Sequence, residues 1–220
     1  MLKANKSPWM MWGFTRFNRM FLHRHFQNIK ICNLNTTSIP KRSLFIVNHS
    51  SWWDALIIFF INDQVVQSDA YGMMHEEGIR RFPFFRKVGV YSINPKDRRH
   101  LLSSLSYSKE LLEKDKTVWM FPQGDEQHLE KRPLEFSNGA SYITEHTEGV
   151  QVIPVSLYYS LEHTKKPNVY ALIGQPIDRS LYKKLSRKEK TRLFEKKSTE
   201  QLDDLKQFVI QEKEEPFSFY

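Results

Sequence analysis

The 220-residue chain has a single cysteine, Cys32, so it has neither an internal disulfide nor a multi-cysteine zinc site. It has no apolar run of about 18 residues, the length an ordinary membrane-crossing helix needs. It has no carboxylate before Asp54: the first 53 residues carry eight Lys or Arg and no acid, within a formal net charge of +8. A basic N-terminal segment implies an anionic partner, either a membrane surface or a nucleic acid. Arg16 and Arg19 interrupt the early apolar stretch and no small-residue cleavage site follows, which argues against a signal peptide. There is no G-x-S-x-G elbow and no H-E-x-x-H or other compact histidine set, which disfavours a serine hydrolase and a metal enzyme. Neither a metal nor a cofactor is therefore expected. No internal repeat occurs, and the length suits one domain with a sizeable core.

The apolar run Ser43-Leu44-Phe45-Ile46-Val47 reads as a buried strand. It runs straight into Asn48-His49-Ser50-Ser51-Trp52-Trp53-Asp54. Open α/β sheets place their ligand crevices at the carboxyl ends of strands, where His49 and Asp54 would emerge. An imidazole held by a carboxylate takes a proton from a hydroxyl at neutral pH. The alternative is structural, a strand-end histidine capped by the aspartate of the next helix.

Two further blocks follow in order: Val118-Trp119-Met120-Phe121-Pro122-Gln123-Gly124, an apolar strand ending in a turn, and Val152-Ile153-Pro154-Val155. Together the three blocks resemble the glycerolipid acyltransferase family, which contains the lysophosphatidate acyltransferases of phospholipid synthesis. Its first motif has the form N-H-x-S-x-x-D, matched by Asn48, His49, Ser51 and Asp54. Its third reads F-P-E-G-T-R, of which Phe121, Pro122 and Gly124 match. Its fourth is a Val-Pro-Val strand. The resemblance covers roughly residues 40 to 178, and it implies acyl transfer from acyl-CoA or an acyl-carrier protein. Under it His49 is the general base, Asp54 orients the imidazole, and the turn Gln123, Gly124, Asp125 and Glu126 meets the acceptor. Backbone N–H groups near Gly124, or in the loop after His49, would receive the oxyanion.

The departures lie where the family places arginines associated with an acceptor phosphate. Gln123, Asp125 and Glu126 replace Glu, Thr and Arg, and Pro95 replaces an arginine after Gly89-Val90-Tyr91-Ser92-Ile93-Asn94. Two carboxylates repel a phosphate that a guanidinium fork would bind. A phosphate-free lipid hydroxyl, such as that of a glycolipid, is then the expected acceptor. Lysophosphatidate is the alternative, with Arg98, Arg99 or Arg132 as substitute ligands.

Residues 8–31 carry Met10, Phe14, Phe17 and Phe21 on one helical stripe, flanked by Trp9 and Trp12, with Arg16, Arg19 and His23 roughly opposite. This pattern fits an amphipathic helix lying in a membrane interface, and equally a terminal helix docked on the domain's own core. The patch Arg80, Arg81, Phe82, Phe84, Phe85, Arg86 and Lys87 interleaves rings and cations. It suits an anionic membrane surface, stacked nucleic-acid bases, or ordinary core phenylalanines beside solvated charges. No nucleic-acid motif accompanies it, so no nucleic-acid partner is expected.

Asp54–Ile61 reads as a helix that must be buried in protein or lipid, and Asn33–Arg42 as a turn-rich connection or short edge strand. Ser186 opens a charged helix to about Gln211 with capping-box spacing to Glu189 and sparse apolar positions, a surface-packed tail. Strands alternating with helices predict a single-domain α/β sandwich around a mixed or mainly parallel sheet. The expected division is an interfacial segment 1–32 and an acyltransferase domain 33–220. The expected protein is a peripheral membrane enzyme at the cytoplasmic face of the cell membrane. Its non-enzymatic rival is a basic membrane-binding module.

Overall fold

A computed structural model describes residues 1–35, 39–213 and 215–220. In chain order the elements are α1 (Pro8–His25), β1 (Ile29–Asn33), β2 (Ser43–Val47), α2 (Asp54–Ile61) and β3 (Ala70–His75). These are followed by α3 (Glu76–Arg81), β4 (Val90–Ile93), α4 (Arg98–Glu113), β5 (Thr117–Met120) and α5 (Gly139–Glu145). The last four are β6 (Gln151–Ser160), β7 (Asn168–Ile173), α6 (Arg187–Ile210) and β8 (Ser218–Phe219).

Among the described residues the strands form one eight-stranded sheet in the order β4-β3-β5-β2-β6-β7-β1-β8. All pairings are parallel except β6 with β7 and β1 with β8. The expected α/β sandwich around a mixed, mainly parallel sheet is therefore present. Strands covered on both faces lack polar alternation, which is why β2 reads as an unbroken apolar run. Phe45 and Val47 point to the face covered by α1 and α2, whereas Leu44 and Ile46 point to the face covered by α4, α5 and α6.

Helix α2 is buried in protein. Leu56, Ile57, Phe60 and Ile61 are all core residues, and α1 lies across them. Phe14, Asn18 and Leu22 form the inner face of α1, at four-residue intervals that keep them on one side. Asn18 Nδ2 donates to the Leu56 carbonyl at 2.9 Å. Burying a Phe or Leu side chain contributes about 1.5–3 kcal/mol each, enough to dock the helix.

This corrects the expected membrane stripe. Phe14 is only 8% exposed and meets Phe59 edge-on at 4.9 Å, with Phe84 at 5.9 Å and Phe85 at 6.3 Å. It serves the core because the apolar surface of α2 needs a cover. Phe21 rests on Trp53 at 5.4 Å. Trp9, Trp12, Met20 and Phe17 remain outside, at 83%, 61%, 67% and 50% exposure. Phe84 and Phe85 stack on one another, Arg80 pairs with Glu76 one turn earlier, and Arg81 lies over the Phe82 ring.

Three further expectations change. The helical segment stops at His25, and Ile29–Asn33 is a strand paired with β7, so the expected division after residue 32 falls inside β1. The segment before α1 is tied to the domain as well: Leu2 exchanges hydrogen bonds with Ser92 on β4, and Ser7 N–H donates to the Lys87 carbonyl. Helix α6 is a covering layer and no peripheral tail, with Phe194, Leu202 and Leu205 buried along β6. Its inner face also carries Thr191, Ser198 and Gln201, and these polar residues mask its apolar period. Gln201 Nε2 lies within 3.2 Å of the Pro154 carbonyl, the Leu172 carbonyl and Ser156 Oγ. The capping box of Ser186 and Glu189 is present. Part of the expected connection Asn33–Arg42, residues 36–38, lies outside the described residues.

Candidate active site

Strand β2 ends because Asn48 uses its side chain where the next strand residue would use its backbone. Asn48 Oδ1 accepts the Leu157 N–H at 2.7 Å, and Asn48 Nδ2 donates to the Leu157 carbonyl at 3.0 Å. The ladder with β6 is satisfied, and the main chain turns away at His49. The loop then closes on Asp54, the first residue of α2. Asp54 Oδ2 accepts from His49 Nδ1 at 2.9 Å, from the Ser50 N–H at 2.6 Å and from the Ser51 N–H at 2.9 Å. Asp54 Oδ1 accepts the Tyr159 hydroxyl at 2.5 Å. The carboxylate is wholly buried, yet each contact is a donor, so its desolvation is offset by charge-assisted hydrogen bonds.

The imidazole is fixed on two further sides. Its ring stacks on Phe121 with centroids 4.1 Å apart and planes 14° apart. Its backbone N–H donates to Gln123 Oε1 at 2.6 Å, and its carbonyl accepts the Gln127 N–H at 2.9 Å. With Nδ1–H committed to Asp54, the lone pair resides on Nε2, which has no partner among the described residues. A base held this way in the required tautomer abstracts a proton from an approaching hydroxyl. Neither Ser50 nor Ser51 bonds the imidazole among the described residues. Ser50 Oγ is buried without a partner, and Ser51 Oγ accepts the Trp53 N–H at 3.3 Å. A serine nucleophile has no support in this geometry.

A family model described as Acyltransferase matches residues 28–158, a span that contains His49, Asp54, Phe121 and Gln123. The chain belongs to the acyltransferase family. The crystal structure of the 1-acyl-sn-glycerophosphate (LPA) acyltransferase PlsC from Thermotoga maritima has the same fold. It aligns at a TM-score of 0.62 with 18% identity, over 89% of this chain and 80% of that one. No curated protein matches the chain. As a member of this family the protein is an enzyme, an acyltransferase.

Of the residues expected at this acyltransferase site, the structure brings His49, Asp54 and Gln123 together. Gly124, Asp125 and Glu126 form an exposed turn beside them. Gly124 has a φ of +84°, a left-handed conformation that favours glycine. Its carbonyl accepts from His75 Nε2 at 3.0 Å, and Asp125 lies 3.3 Å from the same nitrogen. Three of the backbone groups expected as oxyanion donors are engaged elsewhere. Ser50 and Ser51 N–H groups serve Asp54, and the Gly124 N–H closes the turn on the Phe121 carbonyl at 3.1 Å.

Tyr159 was not singled out in the sequence. Burial, then the adjacent Asp54 carboxylate and the hydrogen bond to it, push its hydroxyl well above the ordinary tyrosine value, so it remains a donor. The available signal was the tyrosine pair that ends the Val-Pro-Val strand. Its neighbour Tyr158 points the other way and donates to Glu130 at 2.9 Å. Burial and that carboxylate raise its hydroxyl to about 12. Glu130 also pairs with Lys206 of α6, which holds its carboxyl below the usual range. Adjacent residues of β6 thus pin the dyad on one side and the 122–138 loop on the other. Among the described residues no cluster of His, Cys, Asp or Glu could hold a metal.

Proposed function

We propose that the protein is a peripheral membrane O-acyltransferase that moves a fatty acyl group from acyl-CoA or an acyl-carrier protein to a lipid hydroxyl lacking a phosphate monoester, as in a glycolipid. His49 Nε2 takes the acceptor's hydroxyl proton as its oxygen attacks the thioester carbonyl. The carbonyl electron pair moves to oxygen, giving a tetrahedral intermediate. Collapse re-forms the carbonyl, breaks the C–S bond and expels the thiolate, which receives the proton from the imidazolium. Asp54 orients the ring and stabilises its charged form. The observation that carries the dyad is the 2.9 Å bond from His49 Nδ1 to a fully buried Asp54.

The acceptor reading rests on the electrostatics of the adjoining turn. Asp125 and Glu126 are exposed carboxylates in that turn, and Asp125 is 88% exposed at its side chain. Arg132 is already committed. Its guanidinium pairs with Asp203 of α6 and donates to the Leu129 and Lys131 carbonyls, so it is a poor substitute phosphate ligand. A dianion at this turn meets like charge at close range.

Lysophosphatidate is the second reading. It draws support from Arg98 and Arg99, exposed at the start of α4, and from the substrate of the Thermotoga maritima enzyme. Both arginines follow β4, three strands from β2, or about 14 Å across a sheet with strands some 4.8 Å apart.

Membrane attachment draws support from the outer face of α1, where Trp9, Trp12, Met20 and Phe17 stand among Arg16 and Arg19, and from Phe82 and Arg81 nearby. No helix among the described residues is long and apolar enough to cross a membrane. The test is a competition: oleoyl-CoA with equimolar lysophosphatidate, monoacylglycerol and a glycolipid on anionic vesicles, with products resolved by mass spectrometry. Acylation of the phosphate-free acceptors is expected. Predominant acylation of lysophosphatidate would overturn the acceptor reading.

A further inference from the structure

We propose that Arg98 and Arg99, with Lys96 beside them, bind the phosphate at the end of the acyl donor's pantetheine arm, a donor site that rests on the acyltransferase reading above. CoA and acyl-carrier protein share that arm and that phosphate. Lys96, Arg98 and Arg99 are exposed where the chain enters α4, and none of their side chains has a carboxylate or hydrogen-bond partner among the described residues. The acid among them, Asp97, is spent as the helix cap: its Oδ1 accepts the Arg99 and His100 N–H groups at 2.9 and 3.1 Å. Other guanidinium groups are committed, Arg80 to Glu76 and Arg132 to Asp203. Two unengaged guanidinium forks and an ammonium, adjacent in the chain, suit a phosphate ester.

The sheet sets their distance from the dyad. Phe45, Trp119, Gly72 and Val90 are register partners in one row across β2, β5, β3 and β4, which all run parallel. His49 and Asn94 each lie four residues beyond that row, so they leave the sheet at the same level. The Asn94 carbonyl then accepts the Asp97 N–H at 3.3 Å, and this turn starts α4 at the same edge of the sheet as His49. The separation is three strand spacings, about 14 Å. From thioester sulfur to phosphate the pantetheine arm has the chain length of about four residues, which extended is roughly 14 Å. A donor whose carbonyl meets a hydroxyl at His49 Nε2 therefore carries its phosphate to Arg98 and Arg99. Between the two ends it crosses the strand ends of β5 and β3, where the turn with Asp125 and Glu126 rests on His75. That stretch of the arm is uncharged, and its two amides and hydroxyl offer donors to carboxylates. The negative charge begins beyond the acidic turn. β4 is an outer strand of the sheet, so the nucleotide or carrier protein attached to the phosphate projects past the sheet.

The test compares donors with and without the phosphate in the full chain carrying Arg98→Ala and Arg99→Ala. Both positions are exposed, so the fold should persist. The donors are oleoyl-CoA and S-oleoylpantetheine, which ends in a hydroxyl where the phosphate stands. Thiol release is followed with equimolar lysophosphatidate and monoacylglycerol. The ratio of kcat/KM for oleoyl-CoA to that for S-oleoylpantetheine should fall roughly tenfold in the double variant, as expected for a lost charge-assisted contact. A ratio within about twofold of the unsubstituted protein's overturns the donor site. So does a raised KM for lysophosphatidate at an unchanged ratio, which assigns the arginines to an acceptor phosphate. Oleoyl-acyl-carrier protein as a third donor separates the sources. A parallel fall supports the shared arm phosphate, and a fall with oleoyl-CoA alone overturns it in favour of the nucleotide's phosphates. His49→Ala run alongside keeps the readings apart. Its inactivity with both thioesters, beside an unchanged ratio in the arginine variant, refutes only the donor site, whereas an active His49→Ala refutes the dyad itself.

Discussion

The buried dyad and the exposed surface of the protein are built to opposite standards. On the inward side every polar atom of Asp54 is used, His49 is held at Nδ1, at its N–H, at its carbonyl and by a stacked ring, and α1 seals the back through Phe14, Asn18 and Leu22. On the outward side Asp125 and Glu126 stand in solvent, and Trp9, Trp12 and Met20 of α1 are mostly exposed. A proton-transfer base has to be positioned to a fraction of an ångström, so its surroundings are over-determined. An exposed surface carries no such demand. The difference teaches where substitutions should harm the chemistry and where they should change only the partner.

The sharpest way to break the comparison is at the base. His49→Ala should lower kcat by roughly two to four orders of magnitude, the usual value of general-base catalysis, while the fold persists. Asp54→Ala should cost nearly as much, and also destabilise the loop, since its donors lose their shared acceptor. Single-turnover thiol release by protein of matched thermal midpoint checks this.

Helix α1 allows both halves to be tested on one element. Phe14→Ala should cost about 3–5 kcal/mol of stability, as expected for an emptied core aromatic. Trp9→Ala and Trp12→Ala should change stability by no more than about 0.5 kcal/mol, as surface substitutions do. The tryptophan variants should instead weaken sedimentation with anionic vesicles. Equal stability losses from the two faces, by denaturant titration, would erase the distinction drawn here.

On activity, the smallest expected effect sharpens the inward half. Tyr159→Phe removes one donor from a buried carboxylate, which costs roughly 1.5–3 kcal/mol of stability for a hydrogen bond to a charged group. Because Asp54 keeps its other donors, kcat should fall only about tenfold, in keeping with the loss of a single such contact. A variant with unchanged stability would mean that Tyr159 merely lies beside Asp54.

What was legible in the chain was local. His49 and Asp54 are five residues apart, so a strand stop and a helix start bring them together, and Asn48–Asp54 could be read directly. The same holds for the Ser186–Glu189 cap and for the apolar runs of β2, β5, β6 and β7. The expectations that changed all depended on distant partners. β1 carries a buried lysine and looks like a continuation of the helix before it; it is a strand because β7, some 140 residues later, supplies its ladder. Phe14 shares a stripe with Phe17, and no periodicity says which of them will face α2.

By itself, then, the sequence determined the dyad, the alternating strand and helix order, the acyltransferase signature and the basic, aromatic N-terminal helix, since each is carried by neighbours along the chain. Only the tertiary structure decided which face of α1 is core, that Tyr159 supports Asp54 from 105 residues away, that Arg132 is spent on α6, and that Gln123 accepts the His49 N–H. Those outcomes depend on burial and on hydrogen-bond partners brought together by the sheet, and contacts between distant residues leave no period in the sequence.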